Sequence, residues 1–517
     1  MKTFKKFKRL NSNAMAIDET HKEISTDLTE NIRILKELFK DCSDIVFRPI
    51  IAGKAHAYVL FVDGFIDSQS VELHGIRQLL EEVEKERLSA DLLMERVLSL
   101  SSVNEITKLD DVVSNVLKAN TVLLVEGLNK GIVFDAKGGD RRTVSEPQTE
   151  SAVRGPREGF TERLRVNTAL IRSRVRSNRL KILSKDIGEE TQTGIAILYV
   201  EGIAAPELVE EVISRLDKIK IDGILESGYI EEFIEDSAWS LFPQIQNTER
   251  PDTVAANLLE GRVAIIVDGT PFVLIMPATF WQFFQASEDY YGRFQIYIFL
   301  RILRLVFVFI ALTLPGLYVA VTTYHQEMIP TSLLLSIAAS REAIPFPMFV
   351  EVLIMELSFE ALREAGIRLP QVIGQAVGIL GALVIGQAAV EAGIVSAPTV
   401  IVISLTGITS FTIPRFNMSI AFRLLRFPLI FLGAMFGLYG VVLGVLTVLT
   451  HLCKLRSFGI PYFWPLAPLS VKSLKDVFLR VPWWAMDRRP EQLVKEDIIR
   501  QSKETSAAKL SEEGSSS

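Results

Sequence analysis

Three carboxylates, Glu351, Glu356 and Glu360, stand in the apolar but charge-bearing stretch from Ile329 to Pro370. A carboxylate at membrane depth is costly unless it faces protein or water. The chemistry open to such groups is electrostatic, since a ring of them would attract cations. Just downstream, Gln371, Gln375, Gly378, Ala382, Gly386, Ala389 and Gly393 recur at spacings of three and four. That spacing lays small and amide side chains along one face of a helix. Two uses follow. Small side chains let helix backbones approach closely. They also keep a lumen open, where glutamine dipoles would face ions.

The elements that must position these residues are long apolar runs. Leu305 to Val321, Gln371 to Val390, Ala392 to Pro414 and Phe427 to Thr450 carry no charged residue. Spanning a bilayer takes about 20 apolar residues. The first run qualifies once Ile302 to Arg304 are added. Pro315 within it predicts a kink. Ser404, Thr406, Thr409, Ser410 and Thr412 make the third run mildly polar, and Phe427 to Thr450 reads as one glycine-studded span. Pro345-Phe346-Pro347 breaks any helix around it, so the glutamate stretch is an interfacial helix or a re-entrant one lining an aqueous path.

Arg293, Arg301 and Arg304 flank the first span. By the positive-inside rule the preceding part is then cytosolic. Four spans plus one re-entrant or interfacial element return the basic C-terminal segment to the cytosol but leave Arg363, Arg368, Arg415 and Arg423 outside. A fifth span at Ser332 to Met355 reverses both outcomes. Four is the preferred count.

Upstream of Tyr290 the chain reads as an ordinary water-soluble sequence. Short strands alternate with helices, which predicts an α/β or α+β soluble region of two subdomains, followed by an all-α polytopic membrane domain. Strands are expected at Ala57 to Val62, Thr121 to Val125, Gly131 to Phe134, Gly194 to Val200, Arg262 to Val267 and Phe272 to Ile275. Helices are expected at Leu28 to Phe39, Val71 to Leu98, Pro206 to Ile219, Ile230 to Glu235 and Thr253 to Leu259. No internal repeat is visible. The expected divisions are a disordered basic N-terminus (1–26), soluble subdomains at 27–136 and 150–290, a membrane domain at 295–455, a cytosolic segment at 456–500 and a disordered tail at 501–517.

The net charge of −6 names no partner. Cys42 and Cys453 form no metal or disulfide pattern, and the five histidines lack ligand spacing. No phosphate-cradling GxxxxGK[ST], GxGxxG or GxSxG motif occurs. No enzyme, cofactor or metal is therefore expected. The segment Val153 to Lys185 is strongly basic, with Arg154, Arg157 and Arg172 among its charges. Only Phe160 is aromatic there, which argues against nucleic acid. A solvated face and a contact with anionic lipid or a neighbouring subunit remain open.

Several long motifs fall in one order along the chain. They are Val153-Arg154-Gly155-Pro156-Arg157-Glu158-Gly159-Phe160, Asn167 to Arg172, Phe242 to Pro251, Glu342-Ala343-Ile344-Pro345-Phe346-Pro347, Leu362 to Pro370, Gly386 to Ala392 and Ser457 to Phe463. Together they resemble the family of spore germinant-receptor A subunits, from about residue 30 to residue 485. The resemblance implies a multi-pass protein of the inner spore membrane, working with a transporter-like B subunit and a lipoprotein C subunit. It also implies a homo-oligomeric ring, a pentamer, with an ion path through the membrane part. A paralogue encoded with the dipicolinate-release proteins shares the same motifs.

The resulting expectation is a channel subunit that opens when a partner binds a germinant. A non-conducting scaffold that assembles the receptor is the alternative.

Overall fold

The computed structural model describes residues 22–52, 55–65, 103–135, 146–150, 152–370, 386–471 and 473–501. The helix expected at Val71 to Leu98 lies outside them.

Helix α1 (Leu28–Leu38) starts where Asp27 caps the free amides of Thr29 and Glu30 at 2.9 and 3.3 Å. It buries Leu28, Ile32 and Leu35 on one stripe. Strands β1 (Ile45–Ala52), β2 (Ala55–Val62), β3 (Val103–Ile106), β4 (Thr121–Val125) and β5 (Gly131–Phe134) form an antiparallel sheet in the order β1-β2-β4-β5-β3. Helix α2 (Leu109–Leu117) sits between β3 and β4 in the chain. Central β4 is buried at every position, as expected for a strand covered on both faces. Edge strand β1 tolerates Pro49, which cannot donate to a ladder.

The same plan then recurs. Helix α3 (Leu164–Arg174) is followed by β6 (Leu180–Ile187), β7 (Thr193–Val200), β8 (Gln246–Thr248), helix α6 (Pro251–Leu258), β9 (Val263–Val267) and β10 (Val273–Met276). Helices α4 (Pro206–Asp217) and α5 (Ser227–Ile234) lie between β7 and β8. The sheet order is β6-β7-β9-β10-β8, all antiparallel, which matches the first sheet strand for strand.

Fine detail repeats too. Asn31 clips the chain at Ser25 with two hydrogen bonds of 3.0 and 2.6 Å. Asn167 does the same at Thr161, at 2.8 and 2.6 Å. The amide of Gly127 donates to Thr26, and that of Gly269 to Glu162. Asn115 and Asn257 each bond a carbonyl one turn back at 2.8 Å. The soluble region is thus a structural duplication. The two copies share these clips at isolated positions, and no repeat is visible along the chain.

The copies are fastened together. Arg172 is fully buried and grips Asp44 through two bonds of 2.7 and 2.9 Å. Its remaining donors meet the carbonyls of Ser177 and Leu180. Ser43 donates its amide to Ile182, and Ile182 donates to Asp41.

Between Phe294 and Lys454 the described chain is mostly helical. Helix α7 (Phe294–Tyr324) leaves the soluble region, and its 31 residues rise about 46 Å. Helices α8 (Thr331–Arg341), α9 (Met348–Arg368), α10 (Ala397–Ser410) and α11 (Phe416–Lys454) follow. Only α7 and α11, among the described residues, are both long and apolar enough to cross a membrane on length and composition.

The single span expected at Phe427 to Thr450 is instead part of a hairpin. Gly437 has φ 61° and ψ −146°, a conformation closed to side-chain-bearing residues, and α11 reverses there. Tyr324, at the end of α7, donates to Ala434 and Met435 beside the reversal. The second limb returns to the soluble region, where His451 meets Ser240 at 2.9 Å and lies against Phe242. Phe242 also packs on Phe422 of the first limb.

Contacts along α9 and α10 give their direction. Their starts meet each other and Tyr318, through Glu351, Ser396 and Thr399. Their ends meet near the soluble region, where Arg363 reaches Ser410 at 3.1 Å. Both helices therefore run toward the soluble region. Arg363, Arg415 and Arg423 lie on the same side as the C-terminal segment. The hairpin adds a reversal that a single span at Phe427 to Thr450 lacks.

After Lys454 the chain docks on the second copy. Ser457 bonds Gln244 and Ala278, Tyr462 bonds Pro243, and Leu493 and Val494 join the core of the second sheet.

Candidate functional site

Helix α9 carries the three glutamates, and each finds an arginine. Glu351 is fully buried. One oxygen lies 3.0 Å from Arg341, and the other accepts from the Ser396 amide and the Thr399 hydroxyl at 3.0 and 3.2 Å. Glu356, 4 % exposed, pairs with Arg426 at 2.7 Å. Arg426 also donates to the Ala311 carbonyl of α7 at 2.9 Å. Glu360 pairs with Arg423 at 2.9 Å.

The local geometry explains the pairing. Glu356 and Glu360 are four apart and share one face of α9. Arg423 and Arg426 are three apart on the first limb of α11 and present a matching face. Each carboxylate meets an opposite charge, the condition for burying one. Removing one partner of a buried pair costs about 3–5 kcal/mol.

Two glycines bring α7 and α11 close together. A methyl on Gly433 would stand 2.5 Å from the Gly316 carbonyl oxygen, and one on Gly316 would stand 2.9 Å from that of Leu429. Both contacts are closer than any real side-chain carbon makes. The backbones of α7 and α11 therefore touch there.

Of the small-residue stripe, Gln371, Gln375, Gly378 and Ala382 lie outside the described residues. Gly386 is buried, and a methyl added to it would meet Val400 at an ordinary 3.5 Å. Ala389 packs with Val319, Met348 and Val352.

The basic residues divide. Arg154 and Arg157 are exposed, and Arg157 pairs with Glu146 at 3.0 Å. Arg172 is spent inside the chain on Asp44 and offers no surface to a lipid or a second subunit. Its expected role as an outward contact is corrected accordingly. Burial accounts for this, since a sequence shows the charge but not the carboxylate 128 residues away.

A second charge cluster lies where α7 leaves the soluble region. Arg301 meets Asp289 at 3.3 Å and Asp476 at 2.9 Å, and Arg304 meets Asp289 at 3.0 Å. Tyr290 donates to Asp476 at 2.7 Å. Burial pushes the Asp476 carboxyl above its ordinary range, with Arg301 opposing. Burial, reinforced by Asp476, holds the Tyr290 hydroxyl well above its own. The sequence presented Arg301 and Arg304 only as flanking charges. No motif pointed to Asp476, which lies 175 residues away.

Comparison with known proteins decides the family. The sequence matches Bacillus/Clostridium GerA spore germination protein over residues 33–492. The chain belongs to the GerA family. It is 53 % identical over 474 residues to the uncharacterized membrane protein YfkQ of Bacillus subtilis, covering 92 % of each chain. It is 48 % identical over 485 residues to spore germination protein KA of the same organism, covering 93 % of this chain and 89 % of that one. A crystal structure of the N-terminal domain of the A subunit of the Bacillus megaterium spore germinant receptor GerK3 is 34 % identical, with a TM-score of 0.41, covering 50 % of this chain and 98 % of that one. The GerA match takes in both sheet copies, the helical bundle and most of the docked C-terminal segment.

Proposed function

We propose that this GerA-family chain is the A subunit of a spore germinant receptor. It sits as a multi-pass protein in the inner spore membrane with its soluble region cytosolic, and it conducts ions as a homo-oligomer, a pentamer, when a partner binds nutrient. B and C subunits are its partners. One observation carries the reading. The helical bundle holds a line of paired charges, Glu351–Arg341, Glu356–Arg426 and Glu360–Arg423, where an anchor would need only apolar side chains. Arg363, Arg368, Arg415 and Lys454 lie toward the soluble region, which supports its cytosolic placement.

The stripe from Gln371 to Ala389 and the glutamates of α9 are the proposed gate and ion-attracting groups. Opening requires only that the partner bind one state a few kcal/mol better than the other. The second reading, a non-conducting scaffold, is favoured by the fact that all three glutamates are already neutralised by arginines.

Liposomes containing the purified full-length chain, with and without its partner subunits, separate the two. Cation flux that changes in Ala382→Leu and Gly386→Leu supports the channel. A silent bilayer with partner binding intact supports the scaffold.

A further inference from the structure

We propose that the cavity between the soluble region and the helical bundle is a binding site for a phosphate group. The cavity holds about 400 Å³ and is walled by residues of both regions. Four arginines line it: Arg250, Arg304, Arg363 and Arg415. Glu150 and Glu288 line it as well.

The arginines are not equally engaged. Arg250 is satisfied by Asp252 at 2.8 Å, and Arg304 by Asp289. Arg415 is 7 % exposed and pairs with Glu150, yet its Nε has no hydrogen-bond partner. Arg363 has no carboxylate within ion-pair distance among the described residues. Its guanidinium reaches only the Ser410 hydroxyl at 3.1 Å and lies over the Phe411 ring at 4.5 Å. The Glu288 carboxylate accepts from the exposed Val153 amide at 3.3 Å.

A buried guanidinium with an open donor is costly, and a second without a counter-ion adds to the cost. An oxyanion removes both deficits at once. A phosphate suits the planar donor fork of arginine. The hydroxyls of Ser410 and Thr412 stand on the same wall. Two sources carry this chemistry: a phospholipid headgroup, if the bundle lies in a bilayer as proposed above, and a free phosphate.

The test uses the full-length chain in a phosphate-free maltoside detergent. Thermal unfolding is followed against inorganic phosphate and, separately, against dihexanoyl phosphatidylglycerol, with sodium chloride at matched ionic strength as control. The unfolding midpoint should rise saturably with at least one probe. Arg363→Gln should raise the half-saturating concentration at least tenfold, and Arg363→Lys by less than threefold. A response to the lipid alone assigns the headgroup, and a response to both probes assigns the free phosphate group. Equal titrations for wild type and Arg363→Gln overturn the proposal, as does a response that sodium chloride reproduces. If Arg363→Gln does not fold, titration of the wild-type chain decides: a saturable midpoint rise that sodium chloride does not reproduce supports the site, and its absence overturns it.

Discussion

The two halves of the soluble region share one scaffold and differ in what they hold. Each is a five-stranded antiparallel sheet with the same strand order, the same asparagine clip and the same helix before its central strand. The first half closes on its own core of Leu35, Leu60, Val112 and Val122. The second admits foreign chain. Leu493 and Val494 enter its core from the C-terminal segment, and Phe458 enters its other face. Its residues Phe242 and Phe280 pack on Phe422 of the bundle. The halves share a fold, and the second also couples the bundle to the C-terminal segment through these contacts.

The comparison can be broken at the fastening between the copies. Arg172→Ala leaves Asp44 buried without its partner, which costs about 3–5 kcal/mol. Hydrogen exchange on the full-length chain should then show both sheets losing protection near β1 and β6. Unchanged exchange there would mean that the copies are held by something else.

A finer test exploits the matched clips. Asn31→Ala and Asn167→Ala each strand half-buried backbone groups of Ser25 and Thr161, at about 1 kcal/mol apiece. The local costs should agree, since the geometry does. The consequences should differ: Asn167→Ala should expose residues 457–494 to proteolysis, and Asn31→Ala should leave them protected. Equal exposure in both variants would erase the distinction between coupler and passive copy.

The smallest effect concerns helix α5 of the second copy. Burial, then Glu235 and Glu226, push the Glu231 carboxyl from 4.5 up to about 7. The folded chain therefore holds this proton more tightly than the unfolded one. Its stabilising contribution is complete below about pH 4.5 and is lost as pH rises through about 7. Glu231→Gln should flatten that slope and gain about 1–2 kcal/mol at pH 8, allowing for the solvent contact that Glu231 keeps. Unfolding midpoints at pH 5 and pH 8 would check it, and parallel slopes in the two proteins would count against it.

Much of the soluble fold was legible. The central strands Thr121–Val125 and Val263–Val267 are buried runs rich in β-branched and apolar residues, and α4 opens on Pro206. The edge strands were not. Ile45–Ala52 contains Arg48 and Pro49, and Leu180–Ile187 carries Lys181, Lys185 and Asp186 inside the basic segment. An edge strand exposes one side, so its composition imitates a loop. Within the bundle, Glu351, Glu356 and Glu360 stood out by their apolar setting, but their arginine partners did not, because those lie in separate helices. Gly437 sat among Gly433, Gly440 and Gly444 with nothing in the chain to single it out.

The sequence by itself determined which segments could be buried in water-soluble layers and which could be surrounded by hydrocarbon, since those follow from composition and periodicity. Tertiary structure alone decided which charges meet, where the last long helix turns back, and that one half of the soluble region copies the other. These are matters of distance between residues far apart in the chain, and burial makes each charge or glycine dependent on a neighbour that local pattern does not name.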